Sequence, residues 1–132
     1  MTTPQDPQYR HGTVTLRTID HGQVTVPEPA WCTGHDNDPV NALADLTHNG
    51  AATTASAVTA RYGQVDIMDA RITQTPHGRT LPEPRPLLVV HVDVDATVAP
   101  EDARHLAQAL RVAAVRLDRL IADLAHLRGE HR

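Results

Sequence analysis

One segment of the chain collects the side chains best suited to bind a metal ion. Residues 29–50, PAWCTGHDNDPVNALADLTHNG, contain the only Trp and the only Cys of the sequence, Trp31 and Cys32, together with His35 and His48. Two residues separate Cys32 from His35, a short spacing that lets both side chains leave one turn of chain toward a common point. Because thiolate and imidazole are ligands that zinc prefers, we predict a zinc site formed by Cys32, His35 and His48.

The sequence leaves the fourth ligand of this site open. A closed structural zinc site needs four ligands, and a site whose fourth position is filled by water has the open geometry of catalytic zinc. The candidates for the fourth ligand are nearby carboxylates and more distant histidines: Asp36, Asp38, Asp45, His91, His77 and His21. A metal would also cross-link a long loop that has little other support.

The same residues permit interpretations without a metal. A Cys beside a Trp is often a small buried hydrophobe, and His35 and His48 would then be loop residues that cap backbone groups. The run from Asp36 to Pro39 is ordinary turn chemistry. A nucleophilic pair of Cys32 with a nearby His is a further interpretation, although no oxyanion donor or third orienting residue is identifiable.

The elements expected around this segment are those of an α+β protein, with an antiparallel sheet of four to five strands and one long C-terminal helix packed on one face. Alternation of apolar and polar residues predicts most of the strands. They are expected at 12–19, 23–26, 51–62, 64–75 and 87–95, with a bulge near 68–69. The apolar residues of 30–50 recur with neither the two-residue period of a strand nor the 3.6-residue period of a helix. This indicates a long loop with a short helical turn near VNALADL.

The strand at 87–95, LLVVHVDVD, carries His91, Asp93 and Asp95 on one face. These residues are typical of a metal site or a base with its orienting group, but also of the polar face of a strand, which we favour. The valines at positions 90, 92 and 94 would then face the helix.

The C-terminal helix is expected over 100–128, beginning at Pro100 and closed by Gly129. Its apolar stripe is as broad as that of a helix lying on a sheet. The residues expected to meet the sheet are Leu106, Leu110, Ala113, Leu117 and Leu120. The narrower second half of the stripe suggests a homodimer contact through Leu117, Leu120, Leu124 and Leu127.

Length and composition restrict the class of protein. At 132 residues the chain fits one domain, and a single Cys excludes an internal disulfide. We expect a flexible tail over 1–11 and one α+β domain over 12–128, with the candidate metal site in loop 27–50. The chain shows neither a signal peptide nor a membrane span, so we expect a cytoplasmic protein without membrane contact. A net charge of −4 with one Trp, two Tyr and no Phe disfavours nucleic-acid binding.

The motif PAWC, a His soon after it, LTHNG and the later stretch APEDARHLAQALRVAA resemble a family of small uncharacterised proteins of Streptomyces and other actinobacteria. The resemblance covers residues 28–118 and implies that six residues are the motif positions: Pro29, Trp31, Cys32, His35, His48 and Gly50. It implies no activity. The chain departs from the family in having Ala99 where a capping Thr or Ser is usual.

Together these observations favour a small non-enzymatic accessory or interaction protein whose loop is organised by zinc or by packing of Trp31, and whose protein partner is unknown. The alternative is a zinc-dependent, hydrolase-like enzyme with three protein ligands, an open position, and Asp36, Asp38 or His91 as the base. A transcriptional regulator is a third class of protein, which the net negative charge of the chain disfavours.

Overall fold

The computed structural model describes residues 12–130. The described residues form two compact units, 12–51 with 73–87 and 52–72 with 88–130. The expected tail at 1–11 lies outside the described residues. The α+β class is confirmed, with the strands divided between a two-stranded sheet and a four-stranded sheet.

The first unit begins with an antiparallel hairpin of β1 (Thr13–Thr18) and β2 (Gly22–Pro27). Gly22 takes a φ of 63°, a left-handed conformation that suits the end of a tight turn. The following loop contains a 3₁₀ turn at Leu43–Asp45, which confirms the short helical turn expected there. It ends in the two-residue strand β3 (His48–Asn49).

The second unit is built on the long hairpin of β4 (Thr53–Thr59) and β5 (Gly63–Gln74), which pair antiparallel. The register shifts opposite Ala55 and Ser56, so that Ile67 is the extra residue of a bulge and both Ile67 and Met68 are buried. This confirms the expected bulge, one residue earlier than its predicted position. On its other side β5 pairs with β6 (Leu87–Val92), and its last two residues pair with β3.

The helix α1 (Pro100–Leu127) packs on β4 and begins at Pro100, as predicted. Ala99 gives no side-chain cap, and Gly129 follows the helix with a φ of 75°. In the first turn of α1, the buried carboxylate of Asp102 accepts hydrogen bonds from the backbone N–H groups of Ala60 and Arg61, in the turn between β4 and β5. No helix among the described residues is both long and apolar enough to cross a membrane.

The hydrophobic core of the second unit lies between α1 and the β4–β5 hairpin. Its buried members are Ala55, Ala57, Ile67, Met68, Leu106, Ala109 and Ala113, with Leu117 partly buried against them. Leu110 is 44 % exposed, so the expectation that it meets the sheet was wrong, and Ala109 takes that place. The expectation that Val90, Val92 and Val94 face the helix was also wrong, because all three side chains are exposed.

Candidate metal centre

Four side chains of the first unit converge on one buried point. One ligand atom from each of Glu28, Cys32, His35 and His48 lies within 4.8 Å of all the others. The four side chains are almost fully enclosed, since those of Glu28, His35 and His48 are 0 %, 3 % and 2 % exposed and Cys32 is completely buried. The structure therefore brings together the three residues that sequence spacing suggested and adds Glu28.

The chain leaving β2 positions the first two of these side chains. Pro27 ends the strand, and the Glu28 backbone N–H donates to the Gly12 carbonyl over 2.7 Å. The chain then turns, so that the Cys32 N–H donates to the carbonyl of Pro29. This turn returns the Cys32 thiol to the side on which the Glu28 carboxylate is already buried.

A glycine completes the turn that brings His35 to the centre. Gly34 has a φ of 100°, a conformation that L side chains rarely adopt. Its backbone N–H points back at Cys32 and lies 3.4 Å from Sγ, a contact that stabilises a thiolate. His35 follows with its Nε2 atom 3.6 Å from the same sulfur.

The short strand β3 holds His48. Its residues pair with Gln74 and Thr73 of β5, and the Asn49 carbonyl accepts hydrogen bonds from both the N–H and the hydroxyl group of Thr33. The two ends of the loop are tied together in this way, which sets His48 against the turn that carries Cys32. Trp31 packs edge-on against the His48 ring at a centroid distance of 6.4 Å.

Two of the separations between ligand atoms are close to those of a tetrahedral zinc site, while the 2.7 Å between His48 Nδ1 and Glu28 Oε1 is shorter than a zinc-bound pair would be. Zinc–sulfur and zinc–nitrogen bonds of about 2.3 and 2.0–2.1 Å place the two ligand atoms about 3.5 Å apart in a tetrahedral site. The 3.6 Å from Cys32 Sγ to His35 Nε2 agrees with that value. The 3.1 Å from His35 Nε2 to Glu28 Oε1 is slightly shorter than a zinc-bound pair would be.

The carboxylate of Glu28 is incompletely satisfied by the protein. Its Oε1 atom lies 2.7 Å from His48 Nδ1, but the two atoms are not aligned for a hydrogen bond. Its Oε2 atom is buried and has no hydrogen-bond partner among the described residues. A buried carboxylate in this state costs free energy that a bound cation would offset.

Asp38 supports the centre from outside. Its Oδ2 atom lies 2.8 Å from His35 Nδ1, while the side chain is 52 % exposed. In metal sites a ligating His usually donates its other ring N–H to a carboxylate, which fixes the tautomer and the ring orientation. Asp38 was one of several candidates for the fourth ligand, and the structure places it beside His35 but outside the four-residue cluster.

Burial and neighbouring charges shift the pKa values of three of the four groups. Burial raises the pKa of the Cys32 thiol, opposed by hydrogen bonds from the backbone of Gly34 and Asn49. For His35, burial alone would lower the pKa, but hydrogen bonds to Asp38 and Glu28 outweigh it and raise the pKa. Burial lowers the pKa of His48, although the Glu28 carboxylate opposes the shift.

The remaining candidates for the fourth ligand are not part of the four-residue cluster. Asp36 and Asp45 are exposed, and the side chain of His21 is 57 % exposed beside Asp20. His77 has a buried Nε2 atom without a hydrogen-bond partner among residues 12–130. His91 is exposed on β6, in the second unit.

Glu28 is the member of the cluster that sequence reasoning missed. It stands directly after a strand and between two prolines, a position that is usually exposed and polar. A signal was nevertheless present, because Glu28 precedes Cys32 by four residues and no basic residue lies between them. An acid so close to a candidate thiolate ligand is itself a candidate ligand.

A cavity of about 370 Å³ adjoins the centre within the first unit. His35 is the one residue of the cluster that lines it, and Asp38 lines it as well. The other polar residues that line it are Arg17, Thr18, Asn41, Asp45, Thr47 and Asn49. Cys32, Glu28 and His48 are enclosed away from this space.

The fold and the centre define a small α+β protein with a buried carboxylate, thiol and imidazole cluster. The chain belongs to the DUF6907 family, described as a domain of unknown function, whose family model matches residues 13–126. This confirms the expectation of a family without an assigned activity. No curated protein and no solved structure shows significant similarity to the chain.

Proposed function

We propose that the protein is a non-enzymatic zinc-binding module in which Glu28, Cys32, His35 and His48 hold one Zn²⁺ ion in a closed structural site. The observation that carries the proposal is the convergence of four ligand atoms from side chains that are almost completely buried. Four protein ligands complete a tetrahedral shell and leave no position for a substrate. The role of the ion is then to hold the loop between β2 and β3 in one conformation.

The composition of the first unit supports this role. Its buried apolar residues, among those described, are Val26 and Cys32, while Thr18, Glu28 and His48 are buried polar residues. Because Cys32 is itself a proposed ligand, Val26 alone of these residues offers apolar burial, which offsets little of the conformational entropy of ordering a long loop. A metal ion bonded to four side chains supplies the cross-links that a hydrophobic core would otherwise supply.

The ligand set favours zinc over other common ions. Magnesium and calcium take oxygen ligands, and a site with one thiol and two imidazoles lacks the oxygens they need. One carboxylate, one thiolate and two imidazoles form a mixed set that zinc binds in tetrahedral geometry. We also expect such a module to bind a protein partner, whose identity is unknown.

The test is the metal content of the full chain purified without a His tag, with Cys32→Ser and His48→Ala beside it. We expect near-stoichiometric zinc in the wild type and its loss in both variants. His21→Ala is the matched control, because that exposed histidine lies in the same unit and should leave the metal content unchanged. A folded wild type without bound metal, also after incubation with zinc, would contradict the proposal.

A second candidate is a hydrolase-like enzyme in which Cys32, His35 and His48 hold zinc and water takes the fourth position. The cavity that reaches His35 and Asp38 is the observation in its favour. In that case Glu28 is a base rather than a ligand. Glu28→Gln separates the two functions, since it weakens zinc binding in a closed site but leaves tight, stoichiometric zinc in the enzyme.

A further inference from the structure

We propose that α1 carries a self-complementary surface through which two copies of this chain form an antiparallel dimer. The surface, here called the outer seam, lies beside the stripe of α1 that packs on the protein's own sheet. It consists of Leu110, Ala114, Leu117, Ile121 and Leu124. The proposal is independent of the metal centre, which belongs to the other compact unit.

The outer seam has the spacing of a helix–helix contact. Its residues recur at intervals of four, three, four and three, which is the heptad period of paired helices. Leu110 and Ile121 are 44 % and 46 % exposed, and Leu117 and Leu124 are half-buried. Exposed branched side chains in heptad register on one helix indicate a contact with another helix.

The structure revises the contact expected from the sequence. Leu120 had been assigned to a dimer surface, but it is buried within the chain and is not accessible to a partner. The accessible apolar residues form a neighbouring row along the helix, beside the row that contains Leu120. The dimer contact is therefore displaced toward Leu110 and Ile121.

Charges beside the seam select a second copy as the occupant and set its direction. Arg111 and Asp118 are exposed and lie at equivalent heptad positions on the same flank of the outer seam. In an antiparallel pair this flank meets the same flank of the partner. With Ala114 opposite the partner's Leu117, and Leu110 opposite the partner's Ile121, Arg111 meets the partner's Asp118 twice, once on each side of the two-fold axis.

A parallel pair does not produce this complementarity. It would set Arg111 against the partner's Leu106 and Asp118 against the partner's Ala113, both of which are buried in their own chain. Within one helix Arg111 and Asp118 are two turns apart, about 10 Å along the axis, which is too far for a direct ion pair. The two opposite charges can therefore pair directly between two antiparallel copies but not within one helix.

The test is sedimentation equilibrium of the full chain across a dilution series. We expect a monomer–dimer equilibrium in the wild type. Arg111→Glu and Asp118→Arg should each raise the dimer Kd at least about tenfold, because each sets like charges opposite one another twice. The double variant should restore dimerisation, and so should a mixture of the two single variants, since the mixed pair sets opposite charges together at both contacts.

A second pair of variants tests the apolar seam. Ile121→Asp should abolish the dimer, whereas Val115→Asp, at a residue that is 50 % exposed on another face of α1, should leave it intact. Circular dichroism checks that the variants remain folded. A wild type that stays monomeric at the highest concentration, or a mixture of the two charge variants that fails to associate, would overturn the proposal.

Discussion

Asp38 contacts His35 at Nδ1, while the opposite ring nitrogen of His35 faces Cys32 and Glu28. Because this contact fixes the tautomer and orientation of a ligand, we predict that Asp38→Asn lowers zinc affinity about 10- to 100-fold. Competition with a chromophoric chelator measures the change. Asp36→Asn is the matched control, since Asp36 is exposed and outside the cluster. Equal zinc affinities in the two variants would show that Asp38 does not support the site.

The protonation of the ligands makes zinc binding depend on pH. Burial raises the pKa of the Cys32 thiol, and contacts with Asp38 and Glu28 raise the pKa of His35 against the effect of burial. Both protons must leave before sulfur and nitrogen can bind the ion, so protons compete with zinc. We therefore predict that the zinc Kd rises as the pH falls, by about 10-fold for each pH unit where zinc displaces one proton and by about 100-fold where it displaces two.

Titrations in buffers of different ionisation enthalpy count the released protons directly. The same measurement on Asp38→Asn should show a smaller release near neutral pH, because His35 loses the main contact that holds its proton. A zinc Kd that does not change with pH would contradict the assignment of Cys32 and His35 as ligands.

Residue type and spacing were sufficient to select Cys32, His35 and His48, because thiol and imidazole groups are rare enough to stand out in a loop. They were not sufficient for Glu28. Carboxylates are common on surfaces, and whether one is buried depends on how the chain leaves β2. That direction follows from backbone contacts such as Glu28 N–H to Gly12, which a single sequence does not encode in a readable pattern.

Among the elements, the turn between β4 and β5 depends on a residue of the helix. Asp102 is buried, and its carboxylate is the acceptor for the N–H groups of Ala60 and Arg61. Asp102→Ala removes these hydrogen bonds to a charged acceptor, so we expect the free energy of unfolding to fall by about 1–3 kcal/mol. Urea denaturation measures the change, and Glu101→Gln, at an exposed neighbour on the same turn of α1, should change it by less than about 0.5 kcal/mol. Equal effects at the two positions would show that the bonds to the turn contribute nothing specific.

The periodicity of the sequence predicted the elements better than it predicted their contacts. The bulge in β5 follows from a slip in alternation, and two adjacent buried residues, Ile67 and Met68, are its consequence. The helix itself was clear, but its stripe is wide enough to include both Leu106 and Leu110. Which side of a wide stripe faces the sheet depends on how closely the backbones approach, and here a small residue, Ala109, allows the approach that Leu110 does not.

At the scale of the whole molecule, the two compact units are stabilised by different interactions. The second unit has an apolar core between α1 and the β4–β5 hairpin, and it contains none of the four ligands. The first unit buries a polar cluster in place of such a core. The sequence suggested one α+β domain, and its hydrophobic pattern does not show that the buried side chains of the first unit are mainly polar.

This difference predicts a selective response to metal removal. A chelator should increase hydrogen exchange in the segment from Glu28 to Asn49, where the ligands cross-link the chain, because the energy of the zinc bonds is also the energy that orders the loop. The amides of α1 and of β4 should keep their protection, since their apolar contacts do not involve the ion. Cys32→Ser should give the same exchange pattern without a chelator, and His21→Ala should resemble the untreated wild type. Uniform loss of protection along the chain would mean that the zinc site stabilises both units together. If neither unit loses protection, the loop is ordered without an ion.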